Sequence, residues 1–345
     1  MTKKINIAYA ALLLVFLSAL LVSSCSKKSH TFSLAFYNVE NLFDTIDDQH
    51  KNDNRYLPDS KIPWNTERYY HKLENISKVI AAMDSVELPS VIGLAEVENK
   101  AVLQDLVSQP NIAGAHYQIL HKESADERGI DVALLYRPDK YTPVETNYIK
   151  LVFPFDPTYK TRDILYSKGL ANNKDTVHIF INHWTSRYGG QEETIPYRKY
   201  TAQILKKYTD SLFNINPHVN ILIAGDLNDN PDDESVAKDL GAIEPVQPYK
   251  NDKLYNLSIK QYKMGSGSLY YHGWDMFDQI IVSTPVLTGE NGLQAVSRDQ
   301  TIVKKDWMLY FPERGEPRPN RTAAGRYYGG YSDHLPVLLK MNLIR

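Results

Sequence analysis

Short apolar segments recur from Thr31 to the end of the chain and alternate with segments of helical periodicity. The segment from Thr66 to Asp84 carries apolar side chains at alternating steps of four and three residues, which predicts an amphipathic helix. Further helices are predicted over Ala101–Val107 and Tyr197–Phe213. Because strands and helices interleave without a repeat or a Gly/Ser linker, the sequence predicts one mixed α/β domain over residues 31–345.

Seven apolar runs have the length and composition of buried strands. They are Phe32–Tyr37, Val91–Ala95, Val132–Tyr136, Thr176–Ile181, Val219–Ala224, Gln279–Ser283 and Leu335–Leu339. The segments 141–163, 250–275 and 304–330 are predicted to be long loops. The apolar runs therefore mark where the strands of the domain are expected.

The first 24 residues have the parts of an export signal. Lys3 and Lys4 precede an apolar run of 15 residues, Ala8–Val22, whereas a membrane-crossing helix needs roughly 20. A short membrane anchor is the alternative. The tetrapeptide that ends at Cys25 resembles the lipobox of bacterial lipoproteins, which implies a lipidated Cys25, a tether over residues 25–30 and attachment to a membrane. Lys27 and Lys28 lack the acidic character of a surface-export signal, so a periplasm-facing location is expected.

Cysteine content and charge exclude several classes of protein. Cys25 is the only cysteine, so an intrachain disulfide and a cysteine-based zinc site are excluded. The formal net charge of −2 provides no global basic field for coating nucleic acid. Removing residues 1–24 takes away two lysines and lowers the charge to −4. A monomer is expected.

Polar side chains that could bind a metal or take part in catalysis occur repeatedly at the ends of the apolar strands. They are Asn38, Glu40, Glu96, Glu98, His183, Asp226, Asn228, Asp278, Asp333 and His334. One such residue usually caps a turn, but a set of this size is harder to ascribe to turns. Oxygen ligands without cysteine suit Mg²⁺, Mn²⁺ or Ca²⁺, and two histidines beside carboxylates suit acid–base catalysis. Together they indicate water attack on a phosphate.

The order of these motifs resembles the endonuclease/exonuclease/phosphatase superfamily, which includes deoxyribonucleases. The matching stretches include Gly225-Asp226-Leu227-Asn228 and Ser332-Asp333-His334. The segments 38–44, 128–136 and 182–187 look most like the predicted extracellular nuclease branch. The resemblance implies a four-layer α/β/β/α sandwich of two packed mixed β-sheets flanked by helices, with the active site at one sheet edge.

The resemblance also implies roles for individual residues. Glu96 would be the principal metal ligand, with Asn38 and Glu40 beside it and Asp333 completing the site. Mg²⁺ or Mn²⁺ is the implied cofactor, and Ca²⁺ is an alternative. Asp226 would orient or deprotonate water, Asn228 would hold water or a phosphate oxygen, His334 would pair with Asp278, and His183 would stabilise the transition state or protonate the leaving oxygen.

Other residues keep two interpretations each. Arg128 and Arg187 are candidate phosphate contacts, although a structural Arg128–Asp131 pair is the alternative. Glu98 either shares the metal role or is a solvent-exposed or capping carboxylate. Trp184 and Trp274 either stack on substrate or are buried. The arginines of the loop before Ser332 line the substrate groove or are solvated. They are Arg314, Arg318, Arg321 and Arg326.

The leading functional hypothesis is a metal-dependent phosphodiesterase that cleaves nucleic acid. One alternative keeps the hydrolase on the same fold but changes the substrate to a phospholipid, an inositol phosphate or a phosphomonoester. Another is a non-catalytic binding lipoprotein. Against it stands the observation that no expected catalytic position has been replaced.

Overall fold

A computed structural model describes residues 31–344 of the chain. The predicted export signal, tether and lipidation site at Cys25 lie outside the described residues. Within residues 31–344, no helix combines the length and the apolar character needed to cross a membrane.

The first sheet contains the N-terminal strand and the C-terminal strand side by side. Its strands follow the spatial order β14-β18-β1-β2-β4-β3, and β15 also pairs with β18. These strands are β1 (Thr31–Leu42), β2 (Val91–Val97), β3 (Gln118–His121), β4 (Asp131–Tyr136), β14 (Leu293–Ala295), β15 (Thr301–Ile302) and β18 (Val337–Leu343). β1 is parallel to β2 and antiparallel to β18, so this sheet is mixed.

The second sheet is built from the middle of the chain. Its spatial order is β5-β6-β7-β8-β13-β10-β9. These strands are β5 (Tyr141–Ile149), β6 (Ile164–Ala171), β7 (Asp175–His183), β8 (Ile221–Asp226), β9 (Ala242–Ile243), β10 (Leu254–Asn256) and β13 (Asp278–Ser283). β7 and β8 are parallel, and β13 runs antiparallel to β8.

The remaining elements are helices and two small ribbons. The α-helices are α1 (Thr66–Ala82), α2 (Lys100–Val107), α3 (Gln191–Ile215), α4 (Ile259–Lys263) and α5 (Thr284–Thr288). Short 3₁₀ turns cover Asn54–Tyr56, Ala113–Ala115 and Asp306–Met308, and a π-helical turn covers Ser235–Leu240. The ribbons pair β11 (Leu269–Tyr270) with β12 (Trp274–Asp275), and β16 (Leu309–Tyr310) with β17 (Arg318–Pro319).

Three apolar cores define four layers. The central core lies between the sheets, where Phe36 of β1 and Ile181 of β7 belong to one cluster with Ile280 of β13. A second core packs the outer face of the first sheet against α1 and α2. A third packs the outer face of the second sheet against α3. The four-layer α/β/β/α sandwich is therefore confirmed, because each sheet buries both faces and the helices α1, α2 and α3 each bury one.

Most predicted elements are confirmed, but the three predicted loops and one helix boundary were wrong in part. The segment 250–275 contains β10, α4, β11 and β12, and the segment 304–330 contains β16 and β17. The segment 141–163 is not all loop, because β5 occupies its first nine residues and pairs with β6. An alternating, largely exposed edge strand of this kind lacks the apolar run that marks a buried strand. Helix α3 begins at Gln191, six residues before the predicted start, with Pro196 inside it. Proline that close to a helix start removes only one backbone hydrogen bond.

Strand direction brings the polar strand ends to one edge of the molecule. β1 and β2 run toward this edge in the first sheet, and β7 and β8 run toward it in the second. The antiparallel strands β13 and β18 begin there. Residues near the ends of β1, β2, β7 and β8 therefore meet residues near the starts of β13 and β18.

Candidate active site

Strand register places three of the predicted residues in one row across the second sheet. His183 lies opposite Asp226 in the parallel pairing of β7 with β8. Asp226 lies opposite Asp278 in the antiparallel pairing of β8 with β13. All three side chains are buried. A carboxylate thus stands between an imidazole and a second carboxylate by backbone geometry alone.

Asn38 connects the two sheets at this edge. Its amide Nδ2 donates to Glu96 Oε1 at 3.2 Å and to Asp226 Oδ2 at 3.0 Å. The other oxygen of Glu96 accepts the backbone N–H of Asn41 at 2.9 Å. Glu96 from the first sheet and Asp226 from the second therefore converge on one amide group.

Both predicted histidines face the carboxylate of Asp226. His183 Nε2 lies 3.7 Å from Asp226 Oδ2 and 3.9 Å from Glu96 Oε1. His334 Nε2 lies 3.8 Å from the same Asp226 oxygen. These separations are too long for direct hydrogen bonds. They leave the two imidazole Nε2 atoms and the carboxylate directed at a common point, where a small polar group can contact all three.

His334 forms a close pair with Asp278. Its Nδ1 lies 2.7 Å from Asp278 Oδ2, and both side chains are buried. Burial disfavours the imidazolium, but the charges of Asp278 and Asp226 outweigh it and hold the pKa of His334 well above its usual range. His334 is therefore a cation at neutral pH.

His183 behaves in the opposite way. Burial lowers the pKa of His183 well below its usual range, and the nearby charges of Arg162, Arg128 and His334 lower it further. Burial also raises the pKa of Asp226 to about 6, against the favourable charge of His334. The site thus holds one neutral and one protonated imidazole around a carboxylate.

The Ser332-Asp333-His334 motif is fixed to the first sheet. Ser332 Oγ donates to the Asn38 backbone carbonyl at 2.7 Å and accepts the His334 N–H at 3.0 Å. The serine therefore ties the start of β18 to the end of β1, which explains why it precedes the aspartate and histidine.

The charges of the site match a divalent cation. Three carboxylates, Glu96, Asp226 and Asp278, face one protonated imidazole, because His183 is neutral. Within residues 31–344, no Lys or Arg nitrogen lies within 4.0 Å of these carboxylates. Buried carboxylates without a counter-ion are costly, and oxygen donors suit Mg²⁺ or Mn²⁺. The donor set present therefore fits the metal that the resemblance implies.

A second group of side chains in the cluster also has the spacing to hold a metal ion. Ligand atoms of Asp226, Asp278 and His334 all lie within 4.8 Å of one another. Two of these residues already share the 2.7 Å contact between Nδ1 and Oδ2, which is a charge-assisted hydrogen bond. The metal role of Glu96 and the proton chemistry of the Asp278–His334 pair stay predictions.

Glu40 and Asp333 are placed differently from the prediction that grouped them with Glu96. Arg321 donates to both of them, through Nε to Glu40 Oε1 at 3.0 Å and through a terminal nitrogen to Asp333 Oδ2 at 3.0 Å. Glu40 Oε2 also accepts the backbone N–H of Thr322 at 2.6 Å. Arg321 thus pairs with both carboxylates, although burial and the charge of Asp333 still raise the pKa of Glu40 to about 7. These contacts anchor the loop before Ser332. A metal role for them stays a prediction.

Arg128 lies beside the cluster with its side chain half exposed. It forms an ion pair with Asp126 at 3.3 Å, so the alternative pair with Asp131 is wrong, since Asp131 contacts His121 instead. Asp126 also binds Arg162, whose guanidinium is buried and contacts the Trp184 carbonyl. Sequence reasoning missed Arg162 and Asp126. The available signal was the position of Arg162 two residues before the buried strand β6.

Arg187 and Asn228 are held by local contacts. Arg187 donates to the Asn228 carbonyl and forms ion pairs with Asp229 at 3.1 Å and Asp233 at 2.6 Å. The Asn228 side chain donates to the Trp184 carbonyl at 3.0 Å, and its backbone N–H donates to Asp226 Oδ1. Asn228 therefore orients Asp226, while the guanidinium of Arg187 is engaged by acids.

The structure also places the other residues for which the sequence left two interpretations. Trp184 is buried, and its Nε1 donates to Asn182, as the burial alternative predicted. Trp274 is half-buried and contacts Glu316 through Nε1. Glu98 is buried and accepts the Asp44 N–H at 2.7 Å, away from the Asn38 amide. In the loop of arginines, Arg314, Arg318 and Arg326 are exposed, whereas Arg321 is half-buried.

The family model described as "Endonuclease/Exonuclease/phosphatase family" matches residues 33–343. The chain belongs to this family. Members of the family hydrolyse phosphoester bonds and generally depend on a divalent metal. No curated protein matches the chain.

Solved structures of the same fold cover nearly the whole chain. An endonuclease/exonuclease/phosphatase from Bacteroides vulgatus is 15% identical with a TM-score of 0.55, covering 91% of this chain and 99% of its own. TDP2 from D. rerio, complexed with single strand DNA product, is 15% identical with a TM-score of 0.53, covering 90% and 99%. A mannosyl-6-phosphatase from Bacteroides thetaiotaomicron has the same identity, TM-score and coverage. These likenesses show the shared fold.

Proposed function

We propose that this protein is a divalent-metal-dependent phosphodiesterase that cleaves nucleic acid. The observation that carries the proposal is the convergence of Glu96, Asp226 and both histidines around one point, with Asp278 behind His334. A non-catalytic scaffold has no need for buried carboxylates opposite a buried imidazole pair, because such groups cost stability when they are not paired.

Each residue of the site has a chemical task in this proposal. Glu96 and Asn38 would hold Mg²⁺ or Mn²⁺, which supplies Lewis-acid polarisation of a phosphate oxygen. Asp226 accepts a hydrogen bond from the attacking water and orients it toward phosphorus. The His334 imidazolium donates from Nε2 to a phosphate oxygen while Nδ1–H donates to Asp278. His183 donates from a neutral ring to the leaving oxygen or a second phosphate oxygen.

Nucleic acid is the substrate class that the exposed arginines of the loop before Ser332 favour. Arg314, Arg318 and Arg326 are exposed, and within residues 31–344 no carboxylate lies within 4.0 Å of them. Arg318 stacks over Tyr310 and Arg326 over Tyr328, and both rings are exposed. Cations interleaved with aromatic rings suit a single-stranded backbone with splayed bases. The D. rerio structure with a bound DNA product shares this fold.

The test is a cleavage assay over substrate classes. The purified protein is incubated with plasmid DNA, single-stranded DNA, RNA, sphingomyelin, phosphoinositides and p-nitrophenyl phosphate, with Mg²⁺, Mn²⁺ or EDTA. We expect metal-dependent cleavage of nucleic acid, and a loss of about 10³-fold or more in kcat for Asp226→Asn and for His334→Ala. Asp59→Asn, an exposed carboxylate outside the site, is the matched control.

Other outcomes of the assay separate the alternatives. Turnover of a lipid or a phosphomonoester with nucleic acid left intact would keep the hydrolase and remove the nuclease. Wild-type rates in both Asp226→Asn and His334→Ala would remove the proposed site.

We also propose that the protein is exported and lipid-anchored through Cys25, facing the periplasm. The supporting features are the sequence pattern of residues 1–25 and the single cysteine of the chain. A membrane tether keeps an exported hydrolase with the cell while leaving the catalytic domain in solution.

A further inference from the structure

One face of α1 carries polar side chains in place of the apolar ones that pack into the core. Their spacing of three and four residues puts them in a single stripe along the helix. The members of the stripe are Arg68, His71, Lys72, Asn75 and Lys78. Each of them contacts the 322–331 loop, which leads directly into the Ser332-Asp333-His334 motif. The helix therefore holds one side of this loop along the whole stripe.

Lys72 is the buried cation of the stripe. It is 1% exposed, and lysine is almost never buried to this degree without a partner. Its Nζ donates to Thr322 Oγ1 at 2.6 Å and to the Tyr331 carbonyl at 3.4 Å. Among residues 31–344, no carboxylate oxygen lies within 4.0 Å of this ammonium. Lys72 therefore bridges the two ends of the 322–331 loop through neutral acceptors.

Thr322 joins this ammonium to the end of β1. Its backbone N–H donates to Glu40 Oε2 at 2.6 Å. Its hydroxyl accepts from Lys72 and donates to the Tyr331 carbonyl at 3.3 Å. The loop is thus closed on itself by one ammonium and one hydroxyl, and it is fixed to α1 on one side and to β1 on the other.

The surrounding charges explain why a lysine can occupy this position. Burial lowers the pKa of Lys72 to about 8, although the charges of Glu40, Asp333 and Glu96 oppose this effect. The charge of Lys72 in turn opposes the burial that raises the pKa of Glu40. Lys72 is therefore protonated at neutral pH and acts electrostatically on the carboxylates of the neighbouring strand ends.

The end of the loop that Lys72 holds is one residue away from the candidate active site. Tyr331 precedes Ser332, whose Oγ donates to the Asn38 carbonyl and accepts the His334 N–H. His334 in turn reaches Asp278 with its Nδ1 at 2.7 Å. A displacement of the Tyr331 carbonyl is therefore passed to the imidazole through Ser332.

We propose that Lys72 is a positioning residue, whose ammonium closes the 322–331 loop and thereby places His334 opposite Asp226. An apolar side chain of similar length would fill the space but would leave two buried acceptors without their charged donor. The kinetic consequence rests on the proposed function. The placement of His334 is a property of the fold, and it can be measured without turnover.

Kinetics of two variants tests the role of the ammonium. Lys72→Met keeps most of the apolar stem and removes the charge, whereas Thr322→Val keeps the shape and removes the acceptor. On bis(p-nitrophenyl) phosphate, a small phosphodiester, we expect each variant to lower kcat by about 10- to 100-fold, because a catalytic group is displaced. KM should change by less than about twofold. Because the two groups form one contact, the double variant should lose no more than the more affected single variant.

Two further variants separate positioning from a general loss of stability. Thr322→Ser keeps the hydroxyl and should retain a kcat within about twofold of wild type. Lys207→Met, which removes an exposed lysine of α3, is the matched control and should behave as wild type. Wild-type kcat in both Lys72→Met and Thr322→Val would overturn the proposal. If Lys72→Met does not fold, the comparison of Thr322→Val with Thr322→Ser decides.

Histidine-selective ¹⁵N NMR of the full-length protein measures the placement of His334 independently of activity. We expect the His334 ring resonances, assigned with His334→Gln, to shift or broaden in Lys72→Met and Thr322→Val. Those of His178, near the other end of β7, should stay unchanged. Wild-type His334 resonances in both variants would contradict the proposal. Shifted resonances in a protein whose wild type hydrolyses no phosphoester would support the positioning role and remove the proposed function.

Discussion

Glu96 holds its carboxylate on a backbone conformation that side chains rarely adopt, with a φ of 63°. Asn228 at 51° and the pair Glu40 and Asn41 at 52° and 57° share this left-handed region. The pairing of β2 with β4 shifts register around Glu96, and that of β1 with β2 shifts between Asn38 and Leu42. Bulges of this kind redirect a side chain out of the strand alternation. The strain therefore points the site residues toward one another.

At the same scale, Asp278→Asn tests the Asp278–His334 pair. Asparagine has the shape of aspartate, but it removes the charge that holds the His334 imidazolium, so the donor opposite Asp226 is weakened. We expect kcat to fall by about 10²–10⁴-fold with KM for the substrate changed little. Steady-state kinetics checks this.

The control for Asp278→Asn is thermal unfolding, which should show a folded protein with a cooperative transition. A kcat within a factor of a few of wild type would contradict the acid–base role of the pair.

Strand β8 is the element on which the site depends most. It is buried throughout and lies between β7 and β13, each of which supplies a residue of the site. At Gly225, a Cβ would lie 2.5 Å from the backbone carbonyl of Asn182 on β7. The close approach of the two strands therefore requires glycine directly before Asp226, and the Gly-Asp-Leu-Asn motif has a packing reason as well as a chemical one.

Gly225→Ala should push β8 away from β7. Because the clash is with backbone, we expect a loss of about 1–3 kcal/mol in the free energy of unfolding. We also expect kcat to fall further than in the control variant. Gly114→Ala is the control, since a Cβ there meets nothing within 4 Å. Denaturant titration and cleavage kinetics measure both. Equal behaviour of the two variants would show that β8 tolerates the displacement.

The molecule as a whole concentrates its chemistry at one edge of a four-layer body. The net charge is −2, so long-range attraction cannot draw a polyanion to this edge. In the proposed function, capture of phosphate depends instead on a bound cation, on His334 and on local arginines such as Arg128. An enzyme arranged in this way gains from being held where its substrate passes, which is the role proposed for the lipid anchor.

The anchor makes a prediction for the whole chain. Cys25→Ala removes the acylation site, so the protein should move from the membrane fraction to the soluble exported fraction while its specific activity on nucleic acid stays unchanged. Fractionation with immunoblotting measures the first, and a cleavage assay measures the second. Membrane association of the variant equal to that of wild type would count against lipidation.

The sequence predicted most strands and helices and most residues of the candidate site, and the family resemblance implied the four layers. Apolar periodicity is a local property, and a strand end marked by Asp226 or His183 can be recognised from its neighbours alone. Family motifs then supplied the order of the residues. The edge strand β5 was missed because an exposed strand carries no such apolar signal.

The partner of each carboxylate becomes visible only in the tertiary structure. Glu40 and Glu96 look alike as strand-end acids, yet Arg321, 281 residues along the chain from Glu40, pairs with one and leaves the other to Asn38. The Arg162–Asp126–Arg128 contacts and the contact of Lys72 with Thr322 are likewise invisible in the sequence. Charge balance depends on partners brought together by folding, and sequence spacing holds no record of those partners.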